Sequence, residues 1–281
     1  MREIDVHIIT EEIARLVQEA CVDLPHDVLE SLEQCLTNEP FAMAKETLQV
    51  IVDNAKLARK MRLPICQDTG MAVVLLEIGQ DVHFVGGDLY AAIHQGVAQG
   101  YRDGYLRQSI VSDPLFSRIN TKDNTPATIH VTIVPGNQVE ITVAPKGFGS
   151  ENMSRIRMLK PSDGVDGVKK FVLETVKKAG ANACPPMVIG VGIGGNFETV
   201  AFGAKKAMLK PLKEHHQDER YAALENELLE AINQLGIGPA GFGGKTTALA
   251  LHIEALPTHI AGMPVAVAIC CHVARHKKVR L

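Results

Sequence analysis

The chain is 281 residues long, 46% hydrophobic and 22% charged, with a formal net charge of -3. That is enough apolar material for one large domain or two small ones, and it excludes the basic excess that drives binding to a phosphate backbone. No stretch approaches the roughly 20 consecutive apolar residues of a bilayer span. With no Trp and only 4% aromatics there is little to stack bases or sugars on, so a small polar substrate fits better.

The N-terminus, MREIDVHIITEEIARL, carries acids within its apolar pattern and reads as neither a signal peptide nor a transmembrane segment. Apolar residues at helical spacing (Ile9, Ile13, Leu16, Val17, then Ala44, Leu48, Ile51, Val52, Ala55) break near Asn38, Glu39 and Pro40, which predicts two or three amphipathic helices over 9–61. The turn-rich LPICQDTG then leads into MAVVLLEIG, a run with the Val and Leu content of a buried strand. A helix is expected over 88–102. TIHVTIV and QVEITVAP alternate around Pro135, Gly136 and Asn137, which predicts a β-hairpin.

The glycine-bearing loop KGFGSENMSRI follows, then a helix over about 162–179 with Ser162 as its N-cap. PPMVIGVGIGG reads as a short strand entering a glycine loop, FETVAFGAKKAML as a helix, and 218–234 as a helix ending at Gly236. MPVAVAICC is the last strand-like run, before a basic finish. No internal repeat or low-complexity linker breaks the chain. The expectation is one α+β domain over 1–281: a helical N-terminal segment, with room for a subdomain over 1–62, then a mixed α/β core containing the hairpin.

Two glycine motifs invite nucleotide readings. Gly190, Gly192 and Gly195 satisfy GxGxxG after a strand, but the following helix runs into KKAMLKPLKEHHQDE, without the second strand and acid that a dinucleotide fold requires. GPAGFGGKTT resembles a phosphate-binding loop, yet Pro239 stands where its first glycine belongs. A tight turn around Lys245 and Thr246, for packing or subunit contact, is the simpler reading.

Six cysteines sit singly at 21, 35, 66 and 184 and as a pair at 270 and 271, which is no secreted disulfide framework and points to a reducing cytosol. Cys21 and Cys35 fall inside helical patterns, as buried thiols do. Cys66, Cys184 and Cys271 fall instead near strand ends, where sites are built. On spacing alone they are inert thiols or ligands; no CxxC pairing favours zinc. The chemical alternative is a 4Fe-4S cluster held by three thiolates, leaving one iron open as a Lewis acid.

PICQDTG, NACPPMVIGVGIGG, GIGPAGFGGKTTALALHIE, PTHIAG and CCHVAR, in this order, resemble the iron–sulfur half of class I fumarases and the related tartrate dehydratases, from near residue 40 to the C-terminus. The resemblance implies Cys66, Cys184 and Cys271 as ligands of a 4Fe-4S cluster, with the open iron taking a substrate carboxylate and hydroxyl. It implies Gln67, Arg107 and backbone of the Lys146–Gly149 loop, at Gly147 and Gly149, as substrate contacts, and Asp68 and His259 as catalytic candidates. Cys270 departs from the pattern, standing where a polar residue such as Gln is expected.

Single-chain relatives continue into a second domain, so the resemblance also implies a separate β subunit, in an α2β2 assembly, that supplies a hydroxyl-bearing base and further cations. The implied reaction is reversible hydration of fumarate to (S)-malate in the cytoplasm, with L(+)-tartrate dehydration or mesaconate hydration as the same chemistry on a related diacid. Two readings of another kind stand beside it: a cluster-carrying structural subunit with no active site of its own, and an NAD-linked or nucleotide-hydrolysing enzyme built on the glycine loops.

Overall fold

The computed structural model describes residues 1–281. In chain order the elements begin β1 (Arg2–Asp5), α1 (Val6–Val22), α2 (His26–Asn38), α3 (Ala42–Met61), β2 (Met71–Gly79), β3 (Val82–Val85) and α4 (Leu89–Asp103). They continue with β4 (Thr128–Val134), β5 (Val139–Lys146), α5 (Phe148–Glu151), β6 (Arg155–Leu159), α6 (Gly164–Ala179) and β7 (Met187–Gly194). The last are α7 (Thr199–Met208), α8 (Glu219–Asn233), β8 (Ala248–Leu256), β9 (Met263–Cys270) and β10 (Lys277–Arg280). The α+β class holds, and no helix is long and apolar enough to cross a membrane. The chain divides into two compact units: Met1–Pro25, Ala55–Phe148 and Arg275–Leu281 form one, His26–Asn54 and Gly149–Ala274 the other.

The first unit is built on a four-stranded sheet of order β10-β5-β2-β4, in which β2 runs parallel to β4 and antiparallel to β5. Ile9, Ile13, Leu16 and Val17 recur at three- and four-residue spacing on α1, and with Ile93, Val97 and Tyr101 of α4 they bury one face of this sheet. Val74, Leu76 and Ile78, at strand spacing on β2, supply the other side of the core with Ile141 and Val143 of β5. Asp5 and Asp88 start the two helices, accepting from the backbone N–H of His7 at 2.8 Å and of Ala91 at 2.7 Å.

The expected hairpin does not form. TIHVTIV and QVEITVAP are both strands, but β2 lies between them, Leu76 pairing with Val131 on one side and Ile141 on the other. Alternation fixes the face a side chain takes, not the strand beside it. β2 is buried over most of its length and takes the centre, while β4, exposed at Val131, Thr132 and Ile133, takes the edge.

The second unit has the order β6-β9-β7-β8, with β7 parallel to β8 and antiparallel to β9. Met187, Ile189, Val191 and Ile193 face Phe171, Val172 and Val176 of α6 and Leu228 and Ile232 of α8. On the opposite face Gly190 and Gly192 admit α7 so closely that an added Cβ would stand 2.0 Å from the carbonyl oxygen of Ala204 and 2.2 Å from that of Val200. β7 is therefore covered on both sides, which is why it reads as a continuous apolar run. Gly190 and Gly192 thus serve helix–strand packing, which accounts for two glycines of the motif without a nucleotide. Gly190→Ala is expected to destabilise the chain by about 1–3 kcal/mol; an unchanged urea midpoint would contradict this packing.

One cap differs from expectation. Pro161–Asp163 form a 3-10 turn, so α6 starts at Gly164 with Asp163, not Ser162, at the N-cap position. The Asp163 carboxylate turns back to accept from Lys160 N at 2.8 Å, and this rounds off the turn before the helix.

Candidate active site

In the first unit the segment Cys66–Gly70 enters β2, and four side chains brace it. Tyr101 Oη donates to the carbonyls of Thr69 at 2.6 Å and Gly70 at 3.0 Å, and Asn124 Nδ2 donates to Gly70 O at 3.0 Å. Thr69 Oγ1 donates to Arg107 O at 2.9 Å, and Arg275 Nη2 donates to Asp68 O. Gly70 adopts φ +74°, and a Cβ there would stand 2.4 Å from Lys146 O, so only glycine lets the segment pass the end of β5. Burial raises the Tyr101 phenol far above its ordinary range, so it remains a donor.

On this scaffold Cys66 is half-buried with its thiol 3.4 Å from Gln67 Oε1, and Gln67 itself is exposed. The Asp68 carboxylate accepts from Gly70 N at 3.0 Å and from Phe148 N at 2.8 Å, tying its own turn to the loop after β5. Gly147 approaches that carboxylate so closely that a Cβ would meet Oδ2 at 3.2 Å. Arg107 is fixed through its carbonyl, while its guanidinium is exposed and has no partner within the chain. Downstream, backbone N–H groups of Leu115 and Ser117 pull the Asp113 carboxyl down to about 2, which keeps that turn capped at neutral pH.

The second unit brings Cys184 and Cys271 to one end of its sheet. Cys184 precedes β7 in the left-handed region (φ 51°, ψ 62°), uncommon for a residue with a side chain. Its carbonyl accepts from His272 N at 3.2 Å, with His272 Nδ1 at 3.0 Å, so the residue after Cys271 is clipped to the loop of Cys184. Gly149 lies at the same rim, its Cβ direction open as far as Asn182 O at 4.0 Å. Cys270 is buried in the ladder opposite Val188, whereas Cys271 stands just past the strand. Hydrogen bonding with Cys270, followed by desolvation, pushes the Cys271 thiol well above the ordinary thiol range.

His259 is not brought to that rim. It follows β8, at the end of the sheet where Gly194 pairs with Leu256, a full strand away from Cys184. Eight strand residues place the two ends roughly 25 Å apart. His259 is exposed, its Nδ1 accepts from Ala261 N at 3.2 Å, and its neighbour Thr258 donates to Gly195 O at 2.8 Å. The GPAGFGGKTT segment is also accounted for: Lys245 N donates to the buried carboxylate of Glu39 at 3.0 Å, so an internal acid takes the position an anion would hold.

None of the six cysteines forms a disulfide, and no three His, Cys, Asp or Glu side chains converge as a metal site. By donor chemistry, three thiols are the soft set that iron–sulfur clusters take, and two of them share one rim of the second unit. Sequence reasoning missed the braces. Tyr101 sits on an unremarkable helix, Asn124 in a long loop, and Arg275 in a tail that reads only as basic.

Within the first unit a thiol stands on the same braced loop as a carboxylate, and the second unit brings two more thiols to one end of its own sheet, a donor set suited to small-molecule chemistry on an α+β scaffold. The family model described as fumarate hydratase (Fumerase) matches residues 10–280. A Methanocaldococcus jannaschii protein, provisionally named L(+)-tartrate dehydratase subunit alpha, is 41% identical over 281 residues, covering 97% of this chain and 98% of its own. The L(+)-tartrate dehydratase subunit alpha of Escherichia coli strain UTI89 is 34% identical over 280 residues, covering 98% of this chain and 91% of its own. The chain belongs to the fumarate hydratase family.

Proposed function

We propose that the chain is the α subunit of a cytoplasmic hydro-lyase that adds water to a four-carbon dicarboxylate and removes it again, fumarate and (S)-malate being the first pair, with a separate β subunit completing the site in an α2β2 assembly. The observation that carries this reading is one braced loop of the first unit, which sets a thiol, a carboxamide and a carboxylate beside the backbone of Arg107 and Gly147. Cys66, Cys184 and Cys271 would hold a 4Fe-4S cluster. When bound, such a cluster supplies a Lewis-acidic iron that stabilises charge developing on a departing hydroxyl.

The remaining demands fall on side chains. Removing a proton next to a carboxylate throws extra negative charge onto that carboxylate, and fixed donors must meet it there. Arg107 can grip a carboxylate with two parallel hydrogen bonds. Gln67 donates to a substrate oxygen without adding charge beside the thiols. Each Asp68 oxygen accepts one backbone N–H and keeps a second lone pair, so Asp68 can take or orient a proton while its direction stays fixed. Gly147 lets the loop close on the Asp68 carboxylate, Gly149 leaves space on its Cβ side for a ligand, and His259, at the far end of its sheet, is assigned no step.

A second reading is L(+)-tartrate dehydration, favoured by the names of the relatives. Anaerobic turnover of the assembled complex on fumarate, malate, L(+)-tartrate and mesaconate separates the readings; no turnover on any of them would remove both. Brief exposure to oxygen is expected to abolish activity, and anaerobic iron with thiol to restore it. A complex that stays active through aerobic, iron-free preparation would contradict the proposed cofactor.

A further inference from the structure

We propose that Arg275 is a positioning residue that aims the Asp68 carboxylate, a role that rests on Asp68 working at the substrate. Arg275 lies between β9 and β10 and is 5% exposed. Its Nε donates to Pro145 O at 2.9 Å and its Nη2 to Asp68 O. Pro145 pairs with Ala72 across the β5–β2 ladder, so the guanidinium joins the loop entering β2 to the strand that leads to Gly147. The Asp68 carboxylate ties the same two segments together, through Gly70 N and Phe148 N. Main chain and side chain of Asp68 are thus held by separate bonds to one frame.

The division of labour among the braces isolates Arg275. Tyr101 and Asn124 take the carbonyls of Thr69 and Gly70, and Arg275 takes the next one upstream, that of Asp68 itself. Fixing that carbonyl fixes the peptide plane from which the Asp68 side chain departs. A buried charge is a costly way to fill space, since a hydrophobic side chain of similar volume needs no hydrogen bonds. The planar fork explains the choice: two of its nitrogens reach two carbonyls in a fixed geometry, which the single ammonium of Lys cannot do. Neighbouring groups feel the charge as well, since it opposes the rise that burial imposes on the Cys21 thiol and the Tyr101 phenol.

The test uses Arg275→Lys and Arg275→Met in the full chain, with two readouts. In amide hydrogen exchange, the expected result is at least tenfold faster exchange at Gly70 and Phe148, with Val74 and Ile141 in the sheet unchanged. In the assembled complex, Arg275→Lys should lower kcat at least tenfold with KM nearly constant, and should lower it no further in an Asp68→Asn background. Unchanged exchange at Gly70 and Phe148, or equal acceleration throughout β2 and β5, would overturn the proposal. So would a kcat loss that multiplies with that of Asp68→Asn. If the wild-type complex turns over none of the diacids, the hydro-lyase reading fails, and the exchange measurement alone decides whether Arg275 aims Asp68. Should Arg275→Met not fold, the Arg275→Lys comparison carries the decision.

Discussion

Serine at Cys66, Cys184 or Cys271 is expected, one position at a time, to strip the anaerobically reconstituted full chain of iron and acid-labile sulfide and to abolish turnover of the complex. The hydroxyl fits the space of the thiol but is a hard, barely ionised donor, and iron–sulfur clusters are held by thiolates. A lost Lewis acid worth several kcal/mol corresponds to about a thousandfold or more in rate. Cys21→Ser and Cys35→Ser serve as controls: burial raises both thiols, Cys21 lies in the core of the first unit, and both variants should keep their iron. Cys270→Ser tests the register. Cys270 lies inside the ladder with its sulfur directed to Val273 O at 3.9 Å, so its replacement should leave the cluster in place. Loss of iron in Cys270→Ser with retention in Cys271→Ser would shift the ligand assignment by one residue, and full iron in all three single variants would remove the cluster from the proposal.

The sequence shows elements more readily than it shows neighbours. Apolar spacing located α1, α4 and the strands because burial of one face is a local property of the chain, written at intervals of two or of three and four residues. Pairing is not local. Nothing in TIHVTIV or QVEITVAP says that a strand from before α4 will part them, and the intervening Pro135–Asn137 turn looks the same whether its strands touch or not. The glycines of GVGIGG illustrate a different limit: the same spacing that lets backbone approach a phosphate lets it approach a helix, and only the closeness of Ala204 and Val200 identifies the partner.

The candidate site was legible where its residues are contiguous and obscure where they support one another from a distance. Cys66, Gln67 and Asp68 stand side by side in the chain, and the structure keeps them on one loop. Cys184 and Cys271 lie far apart in the chain, and the clip from His272 to the Cys184 carbonyl is what joins them. His259 enters through the resemblance of PTHIAG, and a motif says nothing of the end of a sheet on which its turn emerges; here that is the end opposite Cys184.

Arg107→Ala is expected to lower kcat of the assembled complex by about 10²–10³-fold, the range found when a single donor to a developing oxyanion is removed. The fold should survive, because the only tie of Arg107 to the braced loop is through its carbonyl, which Ala retains, and thermal unfolding should be unchanged. Arg107→Lys is expected to recover little, since a point charge cannot make two parallel bonds to a carboxylate plane. The way the loss divides between kcat and KM locates the interaction: a fall in kcat with little change in KM means that the guanidinium acts on charge present mainly in the transition state, whereas a rise in KM alone means that it only holds the substrate. A complex carrying Arg107→Ala that turns over at the wild-type rate would leave this chain as a cluster carrier, with the chemistry performed elsewhere. The exposed guanidinium has no partner within the chain and so is available to a substrate carboxylate, whereas that of Arg275 is spent on carbonyls of its own chain.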